Sequence, residues 1–596
     1  MKKRLLQSSL LAPVGVVLFF CGTLVSCKKF LDVEPYSSFG SDYVFSNVVN
    51  AEKAVLGTYY RLTGDQGYGI RLSMYYTYDD DIMMGQGGTP FPDNERRDMA
   101  HYTLNANNTQ LAGPFNQLWN GVERANICIY SIPKMSQYAS GTADEQKALK
   151  RLHGESLVLR SVFYLELIRN WGDVPAQFNP SSIDNDLFKG KTDRDSIYDV
   201  LLNDLATAIT LLPWRTEVTS DERITQGAAR AMRARIALYR GGFSLRRSGG
   251  MQRGSDYKKY YEIARNECAA IMARRDQHKL NPSFLSVFKD YISGKKTDPS
   301  GEVIFEVAME GGTSGLGDSK LGYYNGPRSN NNGNSALTVL PHYFYMFDST
   351  DTRRDVMCAP YFVNATGNVV TSRTGRGLEL MLDGKFRRDW IPDGLIVGPQ
   401  YFGVNWPVVR FSDVLLMFAE AENELNNGPT TAARQAFEEV RLRAYGGNAS
   451  LIGTTPTSYQ GFFNAVVKER ALELGSEGIR KYDLIRWNML GTKLAETKAT
   501  LLAMSTRTAP YDQLPEYMLF VTGSMGPTWA NSFYQPNPFG TTTPAGHTRV
   551  NWVRSNINTT ILTYYAMGYT ANKSELMPIP QQSIDANPNL KQDYGY

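Results

Sequence analysis

No two cysteines in this chain stand at CxxC spacing. The five present, Cys21, Cys27, Cys128, Cys268 and Cys358, are too scattered to frame a metal site. Histidine is as scarce: His101, His153, His278, His342 and His547 stand apart, with no HExxH pair, so a histidine-based site is not expected. GxSxG, P-loop and dinucleotide fingerprints are missing where a strand and a helix would give them meaning. No EF-hand spacing follows the acidic run Asp79, Asp80, Asp81, and three consecutive side chains cannot all face one ion, so that run reads as a polar loop or helix terminus. Neither catalytic residues, a metal nor another cofactor is therefore expected. Excess charge is lacking too. Formal net charge is +4, and setting aside Lys2, Lys3 and Arg4 leaves 60 basic against 59 acidic residues. Nucleic-acid binders concentrate Lys and Arg on one face, so that partner class is excluded, and Arg246, Arg247 and Arg253 read as a solvated loop.

Long hydrophobic runs are lacking except at the start. Met1, Lys2, Lys3 and Arg4 precede an apolar stretch from Leu10 to Phe20, then Leu24-Val25-Ser26-Cys27. The stretch is too short to span about 30 Å of hydrocarbon as a permanent helix. A positive region, an apolar region and a small residue before cysteine make residues 1–26 a leader that resembles a bacterial lipobox. The resemblance implies that Cys27 carries the lipid, since two or three acyl chains anchor durably where one does not. Lys28, rather than Asp, follows it, which gives no reason to expect inner-membrane retention. Three thiols then remain, an odd number, and Cys128 and Cys268 sit in apolar helical contexts that predict burial.

What is abundant is amphipathic helix and aromatic loop. Helical spacing predicts helices over 45–62, 118–132, 153–171, 196–212, 226–239 and 257–273, the third apolar on most sides and the fifth lined by Ala228, Ala231, Ala234 and Ala237. Breakers such as Gly172-Asp173-Val174-Pro175 separate them. Antiparallel helix pairs in series predict a mostly α-helical, tetratricopeptide-like solenoid. From 276 to 407 Gly, Asn, Asp and aromatic residues dominate, with one alternating strand at 301–307; helices resume over 410–425, 431–444, 459–474 and 479–489, and a second irregular aromatic region covers about 505–575. The expected organisation is a leader (1–26), an N-terminal helical region (27–275) and a C-terminal region with ligand-binding loops (276–596), interlocked as one body.

Five motifs, in order, resemble the SusD/RagB family of outer-membrane nutrient-uptake lipoproteins of Bacteroidetes. They are Cys27-Lys28-Lys29-Phe30-Leu31-Asp32 behind the lipobox; Gly154-Glu155-Ser156 running to Trp171-Gly172-Asp173-Val174-Pro175; Arg410-Phe411-Ser412-Asp413-Val414-Leu415-Leu416-Met417; Glu469-Arg470 through Glu473-Leu474, Glu477-Gly478, Arg480, Asp483-Leu484 and Arg486-Trp487; and Met577-Pro578-Ile579-Pro580 to Tyr596. Ser156 and Asp593-Tyr594 depart from the family pattern. The resemblance implies four tetratricopeptide-like helix pairs, a few short strands and long loops. It also implies an outer-membrane location facing the exterior, with a SusC-type TonB-dependent barrel as partner.

Glu477 with Arg480, and Asp483 with Arg486, stand three apart and so can pair along a helix, a structural role. The aromatics remain: 8 Trp, 35 Tyr and 27 Phe, many outside the helical stripes. Sugar rings present an apolar C–H face and a rim of hydroxyls, which flat rings edged by Asn, Asp or Arg can hold. The expected ligand contacts are Tyr323, Tyr324, Trp390, Tyr401 and Trp406, with Asn325, Arg328 and Asp81 as polar partners and Tyr75 and Tyr78 from an earlier loop. The expected function is capture of a glycan or similar oligomer without covalent change; a secreted glycan-degrading enzyme and a protein-binding helical scaffold are the alternatives.

Overall fold

The computed structural model describes residues 40–596 apart from 88–91, 219–221, 311–314, 331, 367–368 and 393–399. The leader and Cys27 lie outside the described residues. Among the described residues, nine helices form the scaffold: α1 (Val48–Tyr59), α2 (Ala112–Ser131), α3 (Ala143–Trp171), α4 (Arg194–Leu211), α5 (Gln226–Gly241), α6 (Tyr257–Met272), α7 (Phe411–Asn426), α8 (Thr431–Ala444) and α9 (Tyr459–Leu474). From α3 onward each helix to α8 packs on its predecessor, α2 packs on α3, and α9 returns to α7. The row therefore runs through α6 onto α7 across the long loop region, and the fold is the expected mostly helical, tetratricopeptide-like scaffold.

Local chemistry sets the boundaries. Thr142 caps α3 by accepting from the Glu145 amide while the Glu145 carboxylate accepts from Thr142, so α3 begins a turn and more before the apolar stripe that marks it in sequence. It ends at Gly172, whose φ of 78° is costly for any residue with a Cβ. Between Gly154 and Trp171 nearly every side chain is buried, as expected of a central helix. A Cβ at Gly121 of α2 would stand 2.4 Å from the Phe163 ring, so glycine is what lets α2 lie against α3. Thr225 caps α5, and its alanine stripe is fully buried between α4 and α6. Cys128, Cys268 and Cys358 are buried free thiols.

Two expectations need correction. The helix expected over 479–489 is α10 (Arg480–Arg486) only; Asn488 takes φ 56° and the chain restarts as α11 (Leu490–Ser505), a helix not foreseen. The loop regions are also less irregular than composition implied. They contain β1 (Val303–Val307), the antiparallel pair β2 (Tyr361–Thr366) and β3 (Val369–Gly375), β4 (Trp406–Arg410), and the pair β5 (Tyr517–Val521) and β6 (His547–Asn551). β4 pairs antiparallel with β1, Trp406 opposite Val307. Four two-residue strands, at 83–84, 338–339, 382–383 and 358–359, close a small sheet under the loops.

Candidate functional site

The acidic and basic signature residues face inward. Arg410, at the end of β4, donates to Glu302 (2.7 Å), Glu473 (2.9 Å) and Glu477 (2.7 Å). Arg353 reaches Asp351 (2.7 Å), Glu469 (2.6 Å) and Glu473 (3.1 Å); Arg443 reaches Glu302 (3.1 Å) and Glu473 (2.5 Å); Lys385 reaches Glu477 (2.5 Å). Burial raises the Glu473 carboxyl, but Arg443, Arg410 and Arg353 overrule it and hold the group well below the usual range. Asp483 pairs with Arg486 (2.8 Å) and Arg470 (2.7 Å), whereas Glu477 does not pair with Arg480 as its spacing suggested. Every acid here is consumed by a guanidinium or ammonium, which is what buried charges require. The network ties loops to α7, α9 and α10.

The acidic run diverges. Asp79 faces His101 Nδ1 at 2.9 Å, and Asp80 accepts from the amides of Ile82 (2.9 Å) and Met83 (2.7 Å). Burial and the neighbouring Asp81 push Asp80 up to about 8. Asp81 accepts two bonds of 2.7 Å from Arg480. Arg246 and Arg247 lie on a solvated turn, as expected, and are tied down there by ion pairs, Arg246 with Asp195 at 2.9 Å and Arg247 with Asp173 at 2.8 Å. Arg253 pairs with Glu424 at 3.2 Å.

Four of the expected ligand contacts are corrected by burial. Trp406, 2% exposed, lies between the rings of Phe386 (5.2 Å, 22°) and Tyr68 (6.3 Å, 19°) in the core. Tyr78 is 2% exposed, Asn325 is fully buried with its amide on Asp383, and Asp81 is committed to Arg480. A side chain with no surface cannot meet a ligand, and these four hold the loops to the scaffold.

The remaining candidates come together in part. Tyr323 and Tyr324 are half-buried and edge-to-face at 5.1 Å; Tyr75, expected as a contact, is itself buried and backs them, meeting Tyr324 edge-on at 6.0 Å. Edge-to-face contact fixes each ring in advance, which lowers the ordering cost of binding. Two arginines that sequence reasoning missed flank them: Arg96 lies 5.8 Å from the Tyr324 ring centre and Arg71 lies 5.9 Å from that of Tyr75. Arg71 donates to Gln110 (3.1 Å) and to the Asp65 carbonyl (2.7 Å). Asp65 in turn accepts from Lys320 (2.9 Å) and from the Tyr401 hydroxyl (3.2 Å), so Tyr401 joins the same rim. Trp390, half-buried, stacks under Arg387 at 4.5 Å, apart from these tyrosines in the contacts it makes. Arg328 sits farther along the Tyr323–Tyr324 loop, donating to the Asn334 carbonyl at 3.2 Å. Nothing in the sequence around Arg71 or Arg96 marks them, because their role depends on which loop folds over which. Rings with guanidinium, ammonium and carboxylate groups at their edge can stack on a sugar face and bond to its hydroxyls.

Two family models match the chain: one described as SusD family, over residues 384–596, and one described as starch-binding associating with outer membrane, over residues 29–238. SusD-like protein P25 of Formosa agariphila is 24% identical over 547 residues, 83% of this chain and 93% of that protein. The crystal structure of a SusD homolog from Bacteroides thetaiotaomicron superposes with a TM-score of 0.74 at 22% identity, covering 93% of this chain and 98% of its own. Surface glycan-binding protein A from Bacteroides thetaiotaomicron, in complex with laminarihexaose, superposes with a TM-score of 0.61 at 18% identity, covering 92% and 99%.

Proposed function

The chain belongs to the SusD/RagB family, and from that premise we propose that it binds an oligomeric glycan at the cell surface and passes it, chemically unchanged, to a SusC-type TonB-dependent barrel. In this reading the leader is removed, Cys27 is acylated, and the lipid holds the protein on the outer membrane with its loops facing outward. Similarity to a family described as starch-binding and associated with the outer membrane, and to a protein solved with laminarihexaose, supports the ligand class.

The observation that carries the reading is the partly exposed pair Tyr323 and Tyr324, backed by the buried ring of Tyr75, with Arg71 and Arg96 at its edge. Such a surface offers stacking area and hydrogen-bond donors, and the acids of the signature are already paired inside. A glycan array followed by chromatography of any bound oligosaccharide tests it. Retention of at least one glycan, recovered intact, is expected. Shortened or unsaturated products would establish an enzyme, and a blank array would leave a scaffold for proteins.

A further inference from the structure

The half-exposed ring of Phe362, on β2, lies against two guanidiniums: Arg376 at 4.1 Å and Arg328 at 5.8 Å from its centre. Arg328 lies on the loop that carries Tyr323 and Tyr324, and its carbonyl accepts from the Val363 amide at 2.9 Å. Arg376 directly follows β3, its amide donating to the Pro360 carbonyl at 2.8 Å. The two elements thus bring like charges onto one ring. Partial burial and then the charge of Arg328 loosen the Arg376 proton, although a guanidinium stays ionised regardless.

Among the described residues neither guanidinium forms an ion pair, in contrast to Arg353, Arg410 and Arg443 in the interior. The Nε of each is buried and has no acceptor. Glu379, whose charge reaches Arg376, instead accepts from the Asn556 amide. Arg328 keeps one bond, to the Asn334 carbonyl at 3.2 Å, but two like charges sharing one ring, each with an orphaned Nε, are left uncompensated until an anion arrives, and a guanidinium fork matches a planar or tetrahedral oxyanion in two-point contact.

We propose that Arg328 and Arg376 form an oxyanion subsite that takes a carboxylate or sulfate group on the glycan held at Tyr323 and Tyr324, so that the natural ligand is an acidic glycan. The proposal rests on the glycan-binding reading above. Affinity of the purified full chain for polygalacturonate, a sulfated galactan and a neutral galactan, at low and high salt, tests it. One of the charged polymers is expected to bind about tenfold or more tighter than the neutral one, to weaken as salt rises, and to lose its advantage in Arg376→Gln. Which charged polymer wins tells a carboxylate from a sulfate. Should Arg376→Gln fail to fold, Arg328→Gln and the salt response of the unaltered protein decide the matter. Equal, salt-insensitive affinity for the neutral polymer, or binding to none of the three, overturns the subsite. Only a blank across the whole glycan array overturns glycan binding with it.

Discussion

Asp80 carries a carboxyl buried beside Asp81, with two amides but no cation of its own, since Arg480 spends both bonds on Asp81. Its folded value of about 8 stands above the ordinary 3.8. Between those values the native state holds a proton that the unfolded chain has released. Stability therefore falls as pH rises through the window from about 4 to about 8. Asp80→Asn removes the titration and keeps an acceptor for the amides, so its melting temperature should gain on that of wild type as pH rises through the window. A constant offset between the two would show that Asp80 ionises normally. The sequence made a structural role for the acidic signature legible, because acids and arginines alternate at helical spacing. It could not name the partners: Arg480 and Asp81 stand 399 residues apart, and only the folded chain brings them together.

At the scale of the element, strand β4 carries its aromatic ring into the core. Trp406 is held between Phe386 and Tyr68, and deleting it opens a core cavity. Trp406→Ala should cost about 3–5 kcal/mol, seen as an earlier urea midpoint, while glycan affinity measured on the remaining folded protein stays at the wild-type value. A parallel fall in affinity at unchanged stability would return Trp406 to the ligand. Helix starts and stops were largely readable, since caps at Thr225, Thr430 and Ser458 and stripes such as that of α7 are local signals. Helix α11 was not, because Gly491, Thr492, Thr497 and Thr500 dilute its apolar pattern with poor helix formers. Loop aromatics could not be sorted either: Tyr324 and Trp406 look alike in sequence, and their exposure is set by distant neighbours.

Over the whole molecule, a row of packed helices carries long aromatic loops on one continuous scaffold, and the motifs that reveal the family lie chiefly in that scaffold and its ion network. That is why the fold was legible and the candidate surface only partly so: Tyr323 and Tyr324 were named, Arg71, Arg96 and Arg376 were not. Tethering belongs to this scale as well. Cys27→Ser should release the protein from membranes into the soluble fraction and abolish incorporation of labelled fatty acid, and an unaltered membrane-bound fraction would count against the lipid anchor.

The central claim is that the half-buried Tyr323 and Tyr324, and not the fully buried rings, hold the glycan. Calorimetric titration of the best array ligand into wild type and into Tyr323→Ala/Tyr324→Ala, with melting curves alongside, tests it most directly. The predicted result is an affinity lower by about tenfold or more at a nearly unchanged melting temperature; wild-type affinity in the double variant would contradict the account.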